Sequence, residues 1–271
     1  MAPPEGTVER WAWDYLHTED LAYKLTPPPA PERYELDAPA RRVLAPSRPS
    51  GLTVVERAEK IPSAGALRDP LQRARLMHTF LHHELQAAEL MAWALLAFPE
   101  APTPFRRGLI TVFADEVRHM ALYAEHLERH GARFGQWSVR DWFWQRVPVA
   151  PTAAHFVAAM GMGFEGANLD HCARFAAQLR AVGDLDGARR VEAVGEEELP
   201  HVRFGLHWFR RFTGGDDFSS WSAHLPEPLS PWLMKGPTFE RAPRLRAGFS
   251  EGFLDALEAV QWSPKRSAPG T

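Results

Sequence analysis

The chain has 271 residues, 45% of them hydrophobic, which is enough for one sizeable core in a large domain or a domain with extensions. The formal net charge of −3 does not indicate a strongly basic nucleic-acid surface, and the single cysteine, Cys172, excludes a disulfide framework and a cysteine-based zinc site. The N-terminus lacks the basic start and apolar run of a signal peptide, and no run of about 18 apolar residues is present. We therefore expect a cytoplasmic protein without a membrane span.

Residues 1–68 form the first predicted region and are rich in proline and arginine. One short helix is predicted near Val8–Leu25. Proline cannot donate a backbone hydrogen bond inside a helix, so the rest of this region is predicted to be an irregular arm over the main body.

Four long helical patterns occupy residues 69–215, the second predicted region, and each lies between an N-cap-type residue and a helix breaker. Each pattern spans roughly 45 Å at about 1.5 Å per residue. The predicted helices run from Asp69-Pro70 to near Phe98-Pro99, from Thr103-Pro104 to near Gly131, from near Thr152 to Gly183, and from after Asp184 to Gly214-Gly215.

The connections between these helices predict their arrangement. The first and third links are short, so the helices that they join must be antiparallel neighbours. The middle link, 132–151, can reach about 66 Å at roughly 3.3 Å per residue, which exceeds one helix length. This pattern predicts an all-α, ferritin-like four-helix bundle with one long crossover connection. Residues 216–271 are predicted to form an irregular C-terminal extension with a short helix from about Ser250 to Gln261.

Each long helix carries one glutamate near its midpoint, and antiparallel helices of equal length meet at their midpoints. The four residues are Glu84, Glu116, Glu165 and Glu198. Residues three and four positions away share a helix face, and around these glutamates they are mostly apolar or small. The four carboxylates are therefore predicted to converge inside the bundle at one height.

Two of these glutamates are followed three residues later by a histidine, namely His119 and His201. This spacing places both side chains of each motif on one face, where they can hold one ion. A buried unpaired carboxylate costs several kcal/mol, whereas two divalent cations balance four carboxylates. Oxygen and imidazole donors suit iron or manganese. The predicted ligands of two metal ions are Glu84, Glu116, His119, Glu165, Glu198 and His201.

Other residues near the motifs are predicted not to be ligands. His82 and His83 adjoin Glu84 in sequence and so point away from its helix face. Glu89 lies five residues beyond Glu84 and would replace it only if the helix is misphased. Cys172 is interpreted as a small packing residue.

Three further residues are expected to act around the ligands. Tyr123 shares a face with His119 and either relays electrons to the metals or is a core tyrosine bonded to a carbonyl, the second reading being favoured. Asp115 and Glu197 each precede a Glu-x-x-His motif. Because a metal-bound histidine usually donates its other N–H, we predict that at least one of these carboxylates accepts it.

Gly161, Gly163 and Gly166 crowd the third long helix, although glycine costs about 1 kcal/mol relative to alanine in a helix. Either a neighbour packs closely there, or the helix leaves space for a ligand or breaks locally beside the metals. The second reading is favoured and predicts a pocket that reaches the metals, is lined by this helix and is covered by the terminal segments. In the fourth helix, Pro200 is predicted to produce a kink.

The runs HHELQAAEL, DEVRHM, GFEGANLD, EEELPHVRFGLHWF and GPTFERAPRLRAGFS together resemble an uncharacterised ferritin-like family, of the DUF455 type, that is grouped with bacterial tRNA hydroxylases. The resemblance extends from about residue 8 to 258 and implies a di-iron carboxylate centre at the same six residues. Pro200 departs from the pattern, since similar proteins usually carry a small residue there.

Together, the motifs and the resemblance imply a di-iron or Mn/Fe oxidoreductase of the hydroxylase type. It would activate O₂ and receive electrons from a reductase, and its substrate would be a small molecule or a modified nucleoside. The alternative is a metal-binding or ferroxidase-type protein without an organic substrate. The long extensions favour a shaped pocket or an obligate homodimer over a storage cage. A basic cluster of Lys235, Arg241, Arg244 and Arg246 is interpreted as a solvated face and not as a tRNA contact.

Overall fold

Helices form almost all of the regular structure of this chain. The computed structural model describes residues 1–57 and 60–261, and in these residues the only extended pairing is one isolated bridge between Val54 and Val139. The protein is therefore all-α, as predicted. No helix within the described residues has the length and apolar character needed to cross a membrane.

The helices are labelled here in chain order. They are α1 (Val8–His17), α2 (Leu21–Leu25), α3 (Pro70–Ala97), α4 (Thr103–Arg129), α5 (Ala153–Val157), α6 (Glu165–Ala181), α7 (Leu185–Thr213), α8 (Phe218–Ala223), α9 (Arg241–Ala247) and α10 (Glu251–Ala259), with a π-helical segment at Ala158–Phe164 and 3₁₀ turns at Ala66–Arg68 and Pro231–Met234.

The helix ends follow the capping residues that the sequence shows. Asp69 accepts a hydrogen bond from the Leu71 amide at 2.9 Å and caps α3, whose first residue is Pro70. Asp184 caps α7 in the same way, and α7 ends at Thr213, just before Gly214, which has a φ of 82°. Glycine adopts this left-handed conformation without the steric cost that a Cβ would bring.

Two predicted helices differ from the observed ones. The predicted N-terminal helix is two helices, because Asp20 begins α2 by accepting a hydrogen bond from the Ala22 amide at 2.8 Å. The third long helix is not continuous α-helix, since the π-helical segment separates α5 from α6 and ends where Glu165 begins α6. Residues 262–271 of the predicted C-terminal extension lie outside the described part of the chain.

Two helical hairpins form the centre of the molecule. The short links make α3 antiparallel to α4 and α6 antiparallel to α7, while α4 also packs against α7. Helix α1 packs on α3, and α9 packs on α7, so the N- and C-terminal regions cover the outside of the hairpins. Helix α7 continues through Pro200, which leaves Glu198 and His201 in one helix.

A buried ion cluster around Glu89 ties the N-terminal region and the crossover connection to α3. Lys24 of α2 donates to Glu89 Oε1 at 2.8 Å, and Arg48 forms an ion pair with the same oxygen. Trp144 of the crossover donates to Glu89 Oε2 at 3.0 Å. Arg48 also pairs with Asp141 of the crossover at 3.0 Å. Glu89 is therefore a structural anchor.

Candidate metal centre

Four helices bring the six predicted ligand residues together. They form two overlapping groups, and within each group the candidate ligand atoms all lie within 4.8 Å of one another. The first group is Glu84, Glu116, His119 and Glu198, and the second is Glu116, Glu165, Glu198 and His201. Glu116 and Glu198 belong to both groups, so each group could hold one metal ion and these two carboxylates could bridge the pair.

The six side chains are almost completely shielded from solvent. Glu116, His119 and Glu198 are fully buried, and the most exposed of the six, Glu84, has an exposure of only 6%. Each pair of a Glu-x-x-His motif lies on one face of its helix because residues three apart are neighbours on an α-helix. A cluster of four carboxylates at this depth needs compensating positive charge.

Both histidines direct Nδ1 at the carboxylates. In α7, His201 Nδ1 lies 2.9 Å from Glu198 Oε2 and 3.2 Å from Glu116 Oε1. In α4, His119 Nδ1 lies 3.4 Å from Glu116 Oε2 and 3.7 Å from Glu198 Oε1. Nδ1 is therefore the histidine atom available to a metal ion, and Nε2 of each ring points away from the cluster.

The Nε2 atoms are held by carboxylates of the opposite helix. His119 of α4 pairs with Glu197 Oε2 of α7 at 2.9 Å, and His201 of α7 pairs with Asp115 Oδ2 of α4 at 3.0 Å. These contacts confirm the prediction for both residues. A hydrogen bond at Nε2 keeps the proton there and leaves Nδ1 free to bind a metal ion.

Arg118 links the two outer carboxylates, and the sequence interpretation missed it. Its guanidinium donates to Asp115 Oδ1 and to Glu197 Oε2, each at 2.7 Å. The hydrogen bond from His201 lowers the pKa of Asp115, and the Arg118 hydrogen bond lowers it further. Burial raises the pKa of Glu197, but contacts with Arg118 and His119 outweigh it and lower the pKa overall. The three-residue spacing from Asp115 was the available sequence signal.

Several polar atoms of the cluster have no hydrogen-bond partner among the described residues. They are both carboxylate oxygens of Glu116, Oε1 of Glu165 and Nδ1 of His119. Buried polar atoms in native proteins are nearly always paired, and unpaired ones call for an explanation such as a bound ion. The donor set and these unpaired atoms therefore fit metal ions.

The ionisation of the cluster supports the same conclusion. Burial raises the pKa of Glu84 and of Glu165 well above the usual value, and neighbouring carboxylates raise both further. Burial also acts on Glu116, but the adjacent histidines outweigh it and lower its pKa. Like charges this close cannot all be present without counter-charge. Two divalent cations would supply four positive charges.

Asn168 is a second residue that the sequence interpretation missed. Its Nδ2 donates to Glu198 Oε1 at 3.0 Å, and its Oδ1 lies 3.6 Å from Cys172 Sγ. Cys172 belongs to neither group of candidate ligands and packs tightly, since a Cβ added at Gly195 would lie 2.8 Å from its Cβ. This agrees with the interpretation of Cys172 as a packing residue.

The other candidates near Glu84 lie outside both groups. His82 pairs with Asp141 Oδ1 at 3.2 Å, and the His83 ring lies 5.2 Å from the Phe143 ring. The suggestion that Glu89 replaces Glu84 is wrong, because the Glu89 carboxylate is already occupied by the buried ion cluster described above. The five-residue spacing turns Glu89 away from the face that carries Glu84.

A cavity of about 280 Å³ adjoins the centre, with Glu84 and Glu165 in its wall. Helix α6 provides one side, while Ile61 of the N-terminal region and Leu233 of the C-terminal region provide cover. This is the arrangement expected from the sequence. The aromatic part of the wall consists of Phe80, Tyr123, Trp142, Phe143, Phe164 and Phe175.

Tyr123 stands in the cavity wall and is 1% exposed. Its ring centre lies 5.5 Å from that of Phe80. Burial raises its pKa well above 10, and the charges of Cys172 and of the glutamates raise it further. The phenol is therefore neutral at physiological pH and lies close to the carboxylates.

The glycines of the third helix have different roles. A Cβ at Gly161 would lie 2.6 Å from the Gly205 Cα of α7, and a Cβ at Gly163 would lie 2.6 Å from Met234 Sδ. These two glycines allow close packing, so the expectation that they leave room for a ligand is wrong. A Cβ at Gly166 would meet nothing within 4 Å. The expected local departure from α-helix is present as the π-helical segment, a feature found often at functional sites.

A third group of candidate ligands, His126, His130 and Asp184, lies away from the centre. His126 Nε2 is 3.0 Å from Asp184 Oδ2, and the Nε of Arg73 is 3.3 Å from the same oxygen. The arginine already balances this carboxylate, which also caps α7. This group is therefore structural.

The three arginines of the basic cluster predicted near the C-terminus are paired with carboxylates, whereas Lys235 donates a hydrogen bond to the Glu258 carbonyl. Arg244 is 1% exposed and forms an ion pair with the buried Asp170, so its interpretation as part of a solvated face is wrong. Arg241 contacts three carboxylates of α10, and Arg246 pairs with Glu196. Arg244 and Arg246 thereby link the C-terminal region to α6 and α7, while Arg241 links α9 to α10.

A family model described as "Protein of unknown function (DUF455)" matches residues 8–255. The chain belongs to this family. The DUF455 match includes all four long helices and both Glu-x-x-His motifs, and hence all six residues of the centre. Comparisons with curated proteins and with solved structures gave no match.

Proposed function

We propose that this DUF455 protein is a ferritin-like di-metal oxidoreductase that uses O₂ to hydroxylate or otherwise oxidise a small organic molecule. The observation that carries the proposal is the pair of four-residue ligand groups that share Glu116 and Glu198. Two ions bridged by carboxylates, with one histidine each, are the arrangement of di-iron and di-manganese carboxylate proteins. Iron is the proposed metal, with manganese or a mixed Mn/Fe pair as the alternative.

The ferritin-like assignment is supported by the order of the helices. Two antiparallel hairpins are joined by a long connection, and each helix contributes to the cluster one glutamate or one Glu-x-x-His motif. This pattern is typical of ferritin-like di-metal proteins. The relation to bacterial tRNA hydroxylases rests on the sequence resemblance.

The metal pair would supply redox chemistry and O₂ activation, and the chain provides the surroundings in which that chemistry is controlled. Asp115 and Glu197 orient His201 and His119, respectively, so that Nδ1 faces the cluster. Asn168 orients Glu198. The aromatic wall of the cavity would exclude water and hold an apolar substrate beside Glu84 and Glu165. Since each turnover requires electrons, we also propose an external reductase.

The cavity favours an enzyme over the alternative of a metal-handling or ferroxidase-type protein. Ligand sites are concave, mostly apolar and supplied with a few polar groups, and this cavity has those properties. A small molecule is favoured over a nucleoside within RNA, because the arginines of the C-terminal cluster are already paired with carboxylates.

The decisive experiment measures metal content first and oxidation second. Protein produced with both iron and manganese should contain close to two metal ions per chain by elemental analysis, and Glu116→Ala should lose most of this metal. Glu192→Ala is a suitable control because Glu192 pairs with Arg180 on the surface. Less than half an equivalent of metal in the reconstituted wild-type protein would refute the proposal.

The second measurement separates enzyme from metal store. Reduced, metal-loaded protein is mixed with O₂ and candidate apolar substrates, and oxidised products are sought by mass spectrometry. An enzyme should form product in an amount that depends on supplied electrons. Oxidation of many equivalents of added Fe(II), without any organic product, would support the ferroxidase alternative instead.

A further inference from the structure

The wall of the cavity carries both acidic and nitrogen-bearing side chains. Glu84 and Glu165 mark the end at the metal centre. Three half-buried side chains with basic groups also line the wall and lie near one another, namely His83, His171 and Arg174. Apolar and aromatic side chains make up most of the rest of the wall. A ligand that fits this cavity must therefore be apolar over most of its length.

Arg174 is a cation without an acidic partner. Among the described residues, no carboxylate lies within ion-pair distance of it, and its buried Nε has no hydrogen-bond partner. Its guanidinium lies over the Phe175 ring, 4.0 Å from the ring centre. Burial lowers the pKa of Arg174, so this cation is partly desolvated without compensation. Arg190, by contrast, pairs with Glu125 and Asp186.

His171 provides a second unpaired polar group next to Arg174. It precedes Arg174 by three residues, so both side chains lie on one face of α6. The buried Nδ1 of His171 has no hydrogen-bond partner among the described residues. Buried donors and acceptors without partners are expensive, so two of them beside one cavity indicate that a ligand supplies the missing contacts.

The distance from these groups to the metal centre suits a small molecule. His171 and Arg174 lie six and nine residues beyond Glu165 on α6, or about 9 and 13.5 Å along the axis at roughly 1.5 Å per residue. The Arg174 guanidinium covers the ring of Phe175, and both side chains belong to the cavity wall. A head group bound here would leave the rest of the molecule to extend to the metals.

We infer that the cavity binds an apolar small molecule that carries one acidic head group, a carboxylate or a phosphate. The head group contacts Arg174 and His171, and the apolar body lies along the aromatic wall as far as Glu84 and Glu165. This inference rests on the proposed function, because it names the class of substrate that the oxidoreductase would take. Arg174 and His171 position the substrate and take no part in the chemistry.

Binding is measured by isothermal titration calorimetry on the metal-loaded protein, without electrons or O₂, so that no turnover occurs. The probes are decanoate, decyl phosphate and the neutral 1-decanol. The variants are Arg174→Gln, which removes the charge and keeps the length, and Arg180→Gln as the matched control. Arg180 is on the same helix and pairs with Glu192 at the surface. Circular dichroism and metal content verify that both variants are folded and loaded.

The wild-type protein should bind decanoate or decyl phosphate at least about 10-fold more tightly than 1-decanol, as expected for a charge-assisted hydrogen bond. Arg174→Gln should lose this preference, and Arg180→Gln should retain it. The better of the two charged probes identifies the head group. Equal binding of decanoate by Arg174→Gln and by the wild type overturns the inference, because the carboxylate would then be bound by the metals. Equal binding of 1-decanol and both charged probes by the wild type also overturns it.

The proposed function can fail separately. If charged probes bind through Arg174 but are never oxidised when electrons and O₂ are supplied, the acidic-ligand site stands and the oxidoreductase proposal is wrong. If 1-decanol is oxidised as efficiently as decanoate, the oxidoreductase proposal stands and the acidic head group is wrong.

Discussion

Replacement of Glu89 by glutamine tests whether the buried ion cluster is an anchor of the fold. The side chain is fully buried. Its two carboxylate oxygens accept hydrogen bonds from Lys24 and Trp144 and form an ion pair with Arg48. Burial alone would raise the pKa of Glu89, but Arg48 and Lys24 outweigh it and hold the pKa below its usual value. Glutamine keeps the shape of this residue but removes the charge that compensates two cations.

The expected cost follows from the loss of compensation. Removing one partner of a buried ion pair typically costs about 3–5 kcal/mol, because the other charge stays buried. For a chain of this size, that corresponds to a fall in the melting temperature of about 5–10 °C. Lys24 belongs to α2 and Trp144 to the crossover, so the N-terminal region and the crossover should both loosen.

The assay is thermal and urea unfolding of the metal-loaded protein, with Glu192→Gln as the control. Glu192 forms a surface pair with Arg180, and such pairs contribute at most about 1 kcal/mol. Metal content should stay the same in Glu89→Gln, because Glu89 belongs to neither ligand group. A loss of stability below about 1 kcal/mol, or a loss of one metal ion with stability unchanged, would refute the reasoning.

Three further predictions concern the histidines and glycines. The buried His78 accepts a hydrogen bond from the Gly135 amide, and burial lowers its pKa to about 4. The contribution of neutral His78 to the free energy of unfolding is therefore complete above about pH 6.5 and is lost as the pH falls toward 4. Over this pH range, the free energy of unfolding measured with urea should fall by about 2 kcal/mol more for the wild type than for His78→Gln. Identical pH profiles of the two proteins would contradict this prediction. Asp115→Asn should weaken metal binding about 10- to 100-fold in a chelator competition assay, because His201 loses its acceptor; unchanged affinity would argue against an orienting role. Gly161→Ala should destabilise the fold by about 1–3 kcal/mol because its Cβ meets α7 backbone, whereas Gly166→Ala should stabilise it by about 0.5–1 kcal/mol. Equal changes in melting temperature for the two alanine variants would show that the close approach of α7 to Gly161 does not require a glycine there.

The residues that could be found from the sequence are those whose signal is local. Glu116 and His119 are three residues apart on one helix, so their common face follows from helix geometry alone. The helix ends at Asp69 and Gly214 follow from capping chemistry in the same way. The convergence of the motifs could also be predicted, because short links make neighbouring helices antiparallel and bring their midpoints together.

Contacts between residues far apart in the chain could not be read from those patterns. Arg118 joins Glu197, and Asn168 joins Glu198, across two helices, and neither residue type is distinctive at its position. The sequence showed that the glycines of the third helix are unusual, but it could not distinguish close packing of a neighbouring helix from space left for a ligand. A Cβ at Gly161 would collide with Gly205, whereas a Cβ at Gly166 would have no neighbour within 4 Å. The difference depends on how closely α7 approaches each position, which the sequence does not show.

Helix periodicity and the spacing of charged residues were sufficient to place six candidate ligands and to predict an all-α fold, since both depend on interactions within a few residues. The role of Glu89, the wall of the cavity and the unpaired Arg174 were decided only when separate segments packed together. Burial and pairing are properties of the space around a side chain, and that space is built by residues that can lie anywhere in the chain. For this reason the candidate metal centre could be predicted from the sequence, whereas the cavity beside it could be seen only in the folded molecule.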